Sequence, residues 1–190
     1  MRIFLFLAPF GAFGVLMLVA SATVSLFTTA ALCLVVITYD VIRGGSVKLF
    51  MAGAVVVFGG LGCYVALVGG YWSSVAVRLA VDGGFLAIAL SSIAIRLPFT
   101  LQYARESVDH ETTLLPGFLR ANYIITWAWI GAIVLMLVAD IMMIYLPSLP
   151  LWIGVAIAFA ARNSAVYFTK WYPRYRRAKD GLAAAAAIKS

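Results

Sequence analysis

Residues 96–122 read RLPFTLQYARESVDHETTLLPGFLRAN, and this is the one long internal stretch of the chain that water would tolerate. Three arginines, three carboxylates and the chain's single histidine, His110, lie within it. Pro98 near its start and Pro116-Gly117 near its end restrict helix continuation on both sides. The stretch therefore indicates a polar loop between two apolar parts of the chain.

The composition on either side of this loop is that of a membrane protein. Of the 190 residues, 65% are hydrophobic and only 11% are charged, whereas charged residues make up about a quarter of a soluble domain. A membrane-spanning helix needs roughly 20 predominantly apolar residues, so the length allows about six. We predict an all-α, polytopic membrane helical bundle in which residues 1–190 form a single integral membrane domain.

The apolar runs predict six transmembrane helices, bounded by polar residues and turn signals. The predicted spans are residues 3–20, 26–42, 49–68, 76–95, 123–145 and 151–168. Residues 96–122 form the loop, and residues 170–190 form a basic tail. A second interpretation makes the first run a signal peptide, with Arg2 before it and Ala20-Ser21-Ala22 as its cleavage site.

The positions of the basic residues predict the orientation of the bundle. Lysine and arginine accumulate in cytoplasmic connections. The connections at residues 21–25 and 146–150 carry no basic residue, whereas the loop and the tail are rich in them. We therefore predict a multi-pass membrane protein with cytoplasmic amino and carboxyl termini and a cytoplasmic loop 96–122.

The motifs of several function classes are missing from the sequence. The formal net charge of +7 comes with no nucleic-acid recognition motif, and basic residues beside spans also attract anionic lipid. Cys33 and Cys63 stand alone, and no H-E-x-x-H, G-x-S-x-G or phosphate-binding loop is present. We predict a protein that is not an enzyme and that has no metal, no cofactor and no nucleic-acid partner.

Ionisable residues inside the predicted spans indicate a polar cluster. Such residues are costly in lipid and usually face the bundle interior, with a partner. The predicted intramembrane cluster comprises Arg78, Asp82, Asp140, Arg162 and Asn163, with Arg162 paired to Asp140 or to Asp82. One interpretation is that these ions only lock three helices together. The other is that they line a polar cavity for a substrate or a proton.

Small residues at intervals of four predict the seams where helices pack closely. Gly62, Ala66 and Gly70 form one such series, and Gly154 and Ala158 form another. Residues without bulky side chains allow the backbones of neighbouring transmembrane helices to approach. We predict that both series lie at helix–helix contacts.

The polar residues of the loop and the tail predict a cytoplasmic surface that contacts protein or anionic lipid. This contact face comprises Arg96, Gln102, Tyr103, Arg105, Glu106, Arg120, Lys170, Arg174, Arg176 and Arg177.

Several phrases of the sequence resemble a known family. Residues 48–61, which include VVVFGGL, are similar to the third-span signature of the bacterial intracellular septation protein A family. The order of later features is also similar, namely Trp72, Pro98, Asn122, Trp127 and a Pro/Trp hairpin at residues 147–152. The chain departs from the family pattern in having Asp140 where an asparagine is usual, and Ser73-Ser74 after Trp72 in place of Lys-Pro-Thr. The resemblance implies a bacterial inner-membrane protein associated with envelope maintenance or division.

Three functional hypotheses follow. The leading one is a non-enzymatic membrane protein that scaffolds an envelope or division complex, with anionic lipids and other membrane proteins as partners. The second is a small transporter or lipid-handling protein that uses the intramembrane cluster, and it implies a homodimer, because six short spans alone would not enclose a path. The third is an accessory subunit of a larger membrane complex.

Overall fold

The structure is a computed structural model that describes residues 2–68, 72–146 and 148–187. Eight helices and no strand occur in these ranges, which confirms the predicted all-α fold. The helices are α1 Arg2–Val19, α2 Ala22–Ile42, α3 Leu49–Val68, α4 Ser74–Ala94, α5 Phe99–Arg105, α6 His110–Leu114, α7 Pro116–Tyr145 and α8 Leu151–Ala187.

Four of the described helices are long and apolar enough to cross a membrane. They are α2, α3, α4 and the part of α7 from Gly117 to Tyr145. α1 contributes a shorter apolar helix, Ala8–Val19. The chain is therefore a multi-pass membrane protein, as its composition predicts.

Two serines fix the starts of α2 and α4. Ser21 precedes α2 and its Oγ accepts a hydrogen bond from the backbone N–H of Val24 (3.4 Å). Ser73 precedes α4 and accepts from the N–H of Ala76 (3.2 Å). These caps satisfy N–H groups that the first helical turn leaves without a partner. Both helices consequently begin a few residues before the apolar runs by which their spans are predicted.

α4 ends through a left-handed residue that is not glycine. Arg96 has φ 59°, its N–H bonds to the carbonyl of Ile93 (3.0 Å), and the N–H of Leu97 bonds to that of Ser92 (2.9 Å). This is the Schellman arrangement, in which two bonds close the last turn. Pro98 follows and cannot continue the helix. The predicted stop is thus built by both residues.

Residues 96–122, which are predicted to form a loop, are partly helical and partly buried. The segment contains α5 and α6, and α5 packs against α7, with Phe99 and Leu101 each only 2% exposed. α7 starts at Pro116, seven residues before the predicted span 123–145. Proline is tolerated in the first helical turn, because the N–H that it lacks has no helical acceptor there. Pro116 therefore starts a helix here rather than ending one.

No helix end separates the predicted last span from the predicted basic tail. α8 runs unbroken from Leu151 to Ala187 and passes through Pro173. A proline inside a helix removes one backbone donor, here the one that would bond to the Thr169 carbonyl. The alanine-rich sequence beyond it favours helix. Residues 188–190 of the predicted tail lie outside the described residues.

An aromatic cluster fills the core between α1, α3, α4 and α5. Phe58 is fully buried, and Phe10, Phe50, Phe85 and Phe99 are each at most 8% exposed. The ring centroids of Phe50 and Phe99 lie 4.5 Å apart, and those of Phe10 and Phe85 lie 5.0 Å apart in an edge-on arrangement. Such contacts add to the burial of these large rings. The cluster holds α5 against the bundle.

Only some of the predicted packing residues lie at close helix contacts. A Cβ added at Gly62 would lie 3.2 Å from the Phe27 ring, and one added at Gly154 would lie 2.9 Å from Met143, so both glycines lie at close contacts. Ala158 packs beside the small cluster between α7 and α8. Ala66, however, is exposed, and Gly70 lies outside the described residues.

Among the described glycines, the two closest contacts lie between α3 and α4, and neither was predicted. A Cβ on Gly84 would lie 2.7 Å from Cγ2 of Val57, and one on Gly53 would lie 2.6 Å from Cδ1 of Ile88. Each glycine thus accommodates a branched side chain of the opposite helix. Spacing does not reveal these two positions, because they are on different helices.

Candidate functional site

A cavity of about 660 Å³ lies at the end of the bundle that contains α5 and α6. We call it the large cavity, and we call this end of the bundle the loop end. Its apolar wall includes Val36, Ile37, Met51, Phe99, Phe118, Ile125 and Trp129. Its polar wall includes Asp40, Ser46, Lys48, Thr100, Tyr103, Glu106, Asn122, Thr169, Lys170, Arg176 and Arg177. The volume is within the range of small-molecule sites, which are about 300–1,000 Å³.

A buried lysine joins two acidic residues on one side of this cavity. Lys48, only 4% exposed, places its Nζ 2.7 Å from Oδ2 of Asp40 and 3.1 Å from Oε2 of Glu106. The backbone N–H and the hydroxyl of Ser46 both donate to Oε1 of Glu106 (3.2 Å each). The three charges therefore tie the α2–α3 connection to the end of α5. We call this group the Lys48 triad.

The carboxylate of Glu106 is held in its ionised form. Burial alone would raise its pKa, but hydrogen bonds from Ser46 and Lys48, together with the lysine charge, bring the pKa below its usual value of 4.5. A group whose pKa is depressed by folding stabilises the protein above its unfolded pKa, and this contribution is lost as the pH falls through the folded pKa. The Lys48 triad is therefore intact at neutral pH.

We expect the melting temperature of the purified protein to fall as the pH is lowered from 6 to below about 4, in part because Glu106 is protonated and releases Lys48. The Glu106→Gln variant should start from a lower melting temperature and lose less of it over this range. Glu111→Gln is the matched control, because Glu111 is exposed. Equal pH dependence in wild type and Glu106→Gln would contradict the assignment.

Three residues of the predicted contact face bond inward, to other residues of this chain. Oε1 of Gln102 accepts a hydrogen bond from the N–H of Leu49 (2.7 Å) at the start of α3. The Tyr103 ring lies 5.4 Å from Nζ of Lys48, and Glu106 belongs to the Lys48 triad. α5 presents these side chains to the bundle because its own apolar residues anchor it there.

The other residues of the predicted face lie on two kinds of surface. Arg96, Arg105, Arg120 and Arg174 are exposed. Lys170, Arg176 and Arg177 line the large cavity, to which α8 adds positive charge, although Lys170 and Arg177 are also exposed. Because α8 is continuous through this region, the tail forms one wall of the cavity.

Hydroxyl and indole groups line the deep part of the large cavity. Oγ1 of Thr100 donates to the carbonyl of Asn122 (2.9 Å) and lies 2.7 Å from Oγ1 of Thr126. Nε1 of Trp129 donates to Oγ1 of Thr169 (3.0 Å). These bonds join α5 to α7 and α7 to α8. They fix the walls of the cavity by satisfying polar groups that would be costly to bury alone.

The charges predicted inside the membrane do come together, but the observed ion pair differs from the expected one. Nη2 of Arg78 lies 2.7 Å from Oδ1 of Asp140, whose side chain is fully buried. Arg162 instead lines a small cavity of about 50 Å³ with Asp82, and the two interact electrostatically. The pairing of Arg162 with Asp140 is therefore replaced by Arg78 with Asp140, while Arg162 and Asp82 do share a site.

Asn163 does not join this group. It is exposed, and its amide donates to the carbonyl of Phe159 (2.7 Å) one turn earlier on α8. Next to Arg162 in sequence, it points about 100° away around the helix. We therefore define the intramembrane cluster as Arg78, Asp82, Asp140 and Arg162.

Reasoning from sequence missed most residues of the large cavity. Lys48 and Asp40 stand at the ends of two spans and carry no motif. Thr100 and Trp129 also belong to no recognisable motif. One available signal was Pro173, because a proline inside a helix and close to Lys170 and Arg176 is unusual in sequence.

No protein-family model, curated protein or solved structure matches the chain.

Proposed function

We propose that six helices of this chain cross a bacterial inner membrane with the loop end in the cytoplasm. α1 and the first half of α8 would complete the four long apolar helices. The α2–α3 connection, α5, α6 and the basic half of α8 are all at the loop end. The resulting excess of basic residues favours a cytoplasmic position for this end, and hence for both termini.

We propose that the protein is a non-enzymatic lipid-handling protein that binds an anionic amphiphile in the large cavity. One observation carries this proposal: the basic residues Lys170, Arg176 and Arg177 line the same cavity as a mainly apolar wall. Such a site suits a ligand with an anionic head group and a hydrocarbon chain, because charge and apolar surface are both complemented. A glycerophospholipid with a phosphate head group is the ligand class that we infer.

The test is native mass spectrometry of the protein from nanodiscs that contain phosphatidylcholine and phosphatidylglycerol. We expect wild type to retain phosphatidylglycerol selectively. Arg176→Glu/Arg177→Glu should lower this retention about tenfold or more, since a basic residue near anionic lipid contributes about 1 kcal/mol and a charge reversal changes that sign.

Arg174→Glu/Lys179→Glu is the matched control, because both residues are exposed on the same helix and neither lines the cavity. Equal loss of lipid in the two double variants would show general attraction to the surface and contradict a cavity site. If inorganic phosphate at the same concentration as the lipid displaces the lipid, the cavity binds phosphate and does not select for a hydrocarbon chain.

A scaffold of an envelope or division complex is the second candidate function. It is favoured by the exposed arginines at the loop end, Arg105, Arg120 and Arg174, and it agrees with the resemblance to the septation protein A family. The same purification separates the two candidates. Stoichiometric proteins that co-purify with wild type, and are lost from Arg105→Glu/Arg174→Glu, would support the scaffold or an accessory-subunit role.

A further inference from the structure

Trp129 separates two cavities of different character. Its side chain lines the large cavity on one side and the small cavity, the one that contains Asp82 and Arg162, on the other. The indole is fixed by its hydrogen bond to Thr169 and by an edge-on contact with Phe99, with ring centroids 6.5 Å apart. Phe50 lines the small cavity beside it and packs on Phe99. An aromatic layer thus closes the inner end of the large cavity.

Polar groups continue beyond this layer toward the opposite end of the bundle. Asp82 on α4, only 8% exposed, interacts electrostatically with Asp140 on α7, Arg162 on α8 and Arg78 on its own helix. The side chain of Arg78 is 22% exposed. α1 and α3 contribute only phenylalanines to the small cavity. A charged cluster at the interface of α4, α7 and α8 therefore lies beyond Trp129, next to a small cavity whose other lining residues are apolar.

The volume of the small cavity and the charges of the intramembrane cluster limit which ions or molecules can pass through this region. About 50 Å³ holds one or two water molecules, each of which occupies about 30 Å³ in the liquid, and it excludes an amphiphile. Oδ2 of the buried Asp140 has no hydrogen-bond donor among the described residues, and buried carboxylate oxygens usually have one from protein or water. The arginines of the cluster repel metal cations, and its carboxylates repel anions. The species that can still pass is a proton relayed by the carboxylates and water.

We propose that α4, α7 and α8 enclose a proton path that Trp129 closes. When the Trp129 side chain moves aside, a hydronium from the large cavity transfers a proton to the carboxylate of Asp82, which leaves a water molecule. The carboxylic acid then returns this proton to a water molecule on the Asp140 side. One O–H bond forms and one breaks in each step, and the pH gradient drives the net transfer. The path shares the large cavity with the proposed lipid site, but the proton transfer does not require a bound lipid.

The test is proton flux into proteoliposomes that contain a trapped pH-sensitive dye, measured after an acid jump with valinomycin present. We expect little flux with wild type and about tenfold or more with Trp129→Ala, because removal of a hydrophobic constriction lets water enter. Trp127→Ala is the matched control, since Trp127 is 53% exposed on the same helix. It should behave as wild type.

A second substitution distinguishes the path from a defect in packing. Trp129→Ala/Asp82→Asn should return to the wild-type rate, and a trapped dye larger than the cavity should stay inside all vesicles. If Trp129→Ala does not elute as a folded species, Trp129→Leu replaces it in the same series. A folded Trp129 variant with wild-type flux would overturn the proposal. So would fast flux that persists with Asp82→Asn.

Discussion

Replacement of Arg78 by methionine is expected to lower the free energy of unfolding by about 3–5 kcal/mol, because it leaves a buried carboxylate without its cation. Asp140 is fully buried, and its Oδ1 lies 2.7 Å from the Arg78 guanidinium. Asp82 is a second carboxylate in the same cluster. The measurement is unfolding in mixed micelles of dodecyl maltoside and increasing sodium dodecyl sulfate.

The double variant Arg78→Met/Asp140→Leu should recover most of this loss, since apolar residues of similar volume can replace a buried ion pair at little cost. Arg105→Met is the control for loss of an arginine, because Arg105 is exposed and its change should stay within about 0.5 kcal/mol. A loss below about 1 kcal/mol for Arg78→Met would mean that Asp140 does not depend on this ion pair. A stable double variant would also provide a background in which to measure any function of the charges.

Lys48→Met should cost about 3 kcal/mol, because two carboxylates that share one cation would then face each other. The side chains of Asp40 and Glu106 are 27% and 19% exposed, so water reduces the cost below that of a fully buried site. The change should also loosen α5, since Lys48 links this helix to the α2–α3 connection. Thermal unfolding, together with proteolysis within residues 106–115, measures both effects.

A double-mutant cycle identifies the origin of this loss. If Glu106 and Lys48 interact directly, Lys48→Met/Glu106→Gln should be more stable than the sum of the two single changes predicts. Lys170→Met is the matched control, because Lys170 also lines the cavity but is exposed. If the two effects are additive, the loss of stability in Lys48→Met comes from lost packing of the lysine hydrocarbon chain and not from the ion pair.

The helices were largely predictable from sequence, because the hydropathy of a span depends on composition alone. The predicted span 49–68 coincides with α3, and the predicted end at Tyr145 coincides with that of α7. The start of α7 was missed because Pro116 reads equally well as a stop or as the first turn of a helix. The burial of α5 was missed because its few apolar residues, such as Phe99 and Leu101, lie between charged residues in the sequence.

The members of the intramembrane cluster were predictable, whereas their pairing was not. Ionisable residues are rare in spans, so Arg78, Asp82, Asp140 and Arg162 stand out by type. Spacing gives depth along each helix but not the rotation of one helix about its axis relative to another. The large cavity was hidden for a related reason. It forms where the part of α8 around Pro173 lies beside α5 and α7, and no local pattern encodes that arrangement.

Pro173 divides the long helix α8 into two arms that can rotate relative to each other. With 37 residues the helix is about 55 Å long at 1.5 Å per residue, whereas the hydrocarbon core is about 30 Å thick. Pro173 lines the large cavity, and it weakens the helix there by one hydrogen bond. A small rotation at this joint displaces the far end of α8 by several ångströms. A ligand in the cavity would in this way change the position of the carboxyl-terminal part of α8 without any movement of the other helices.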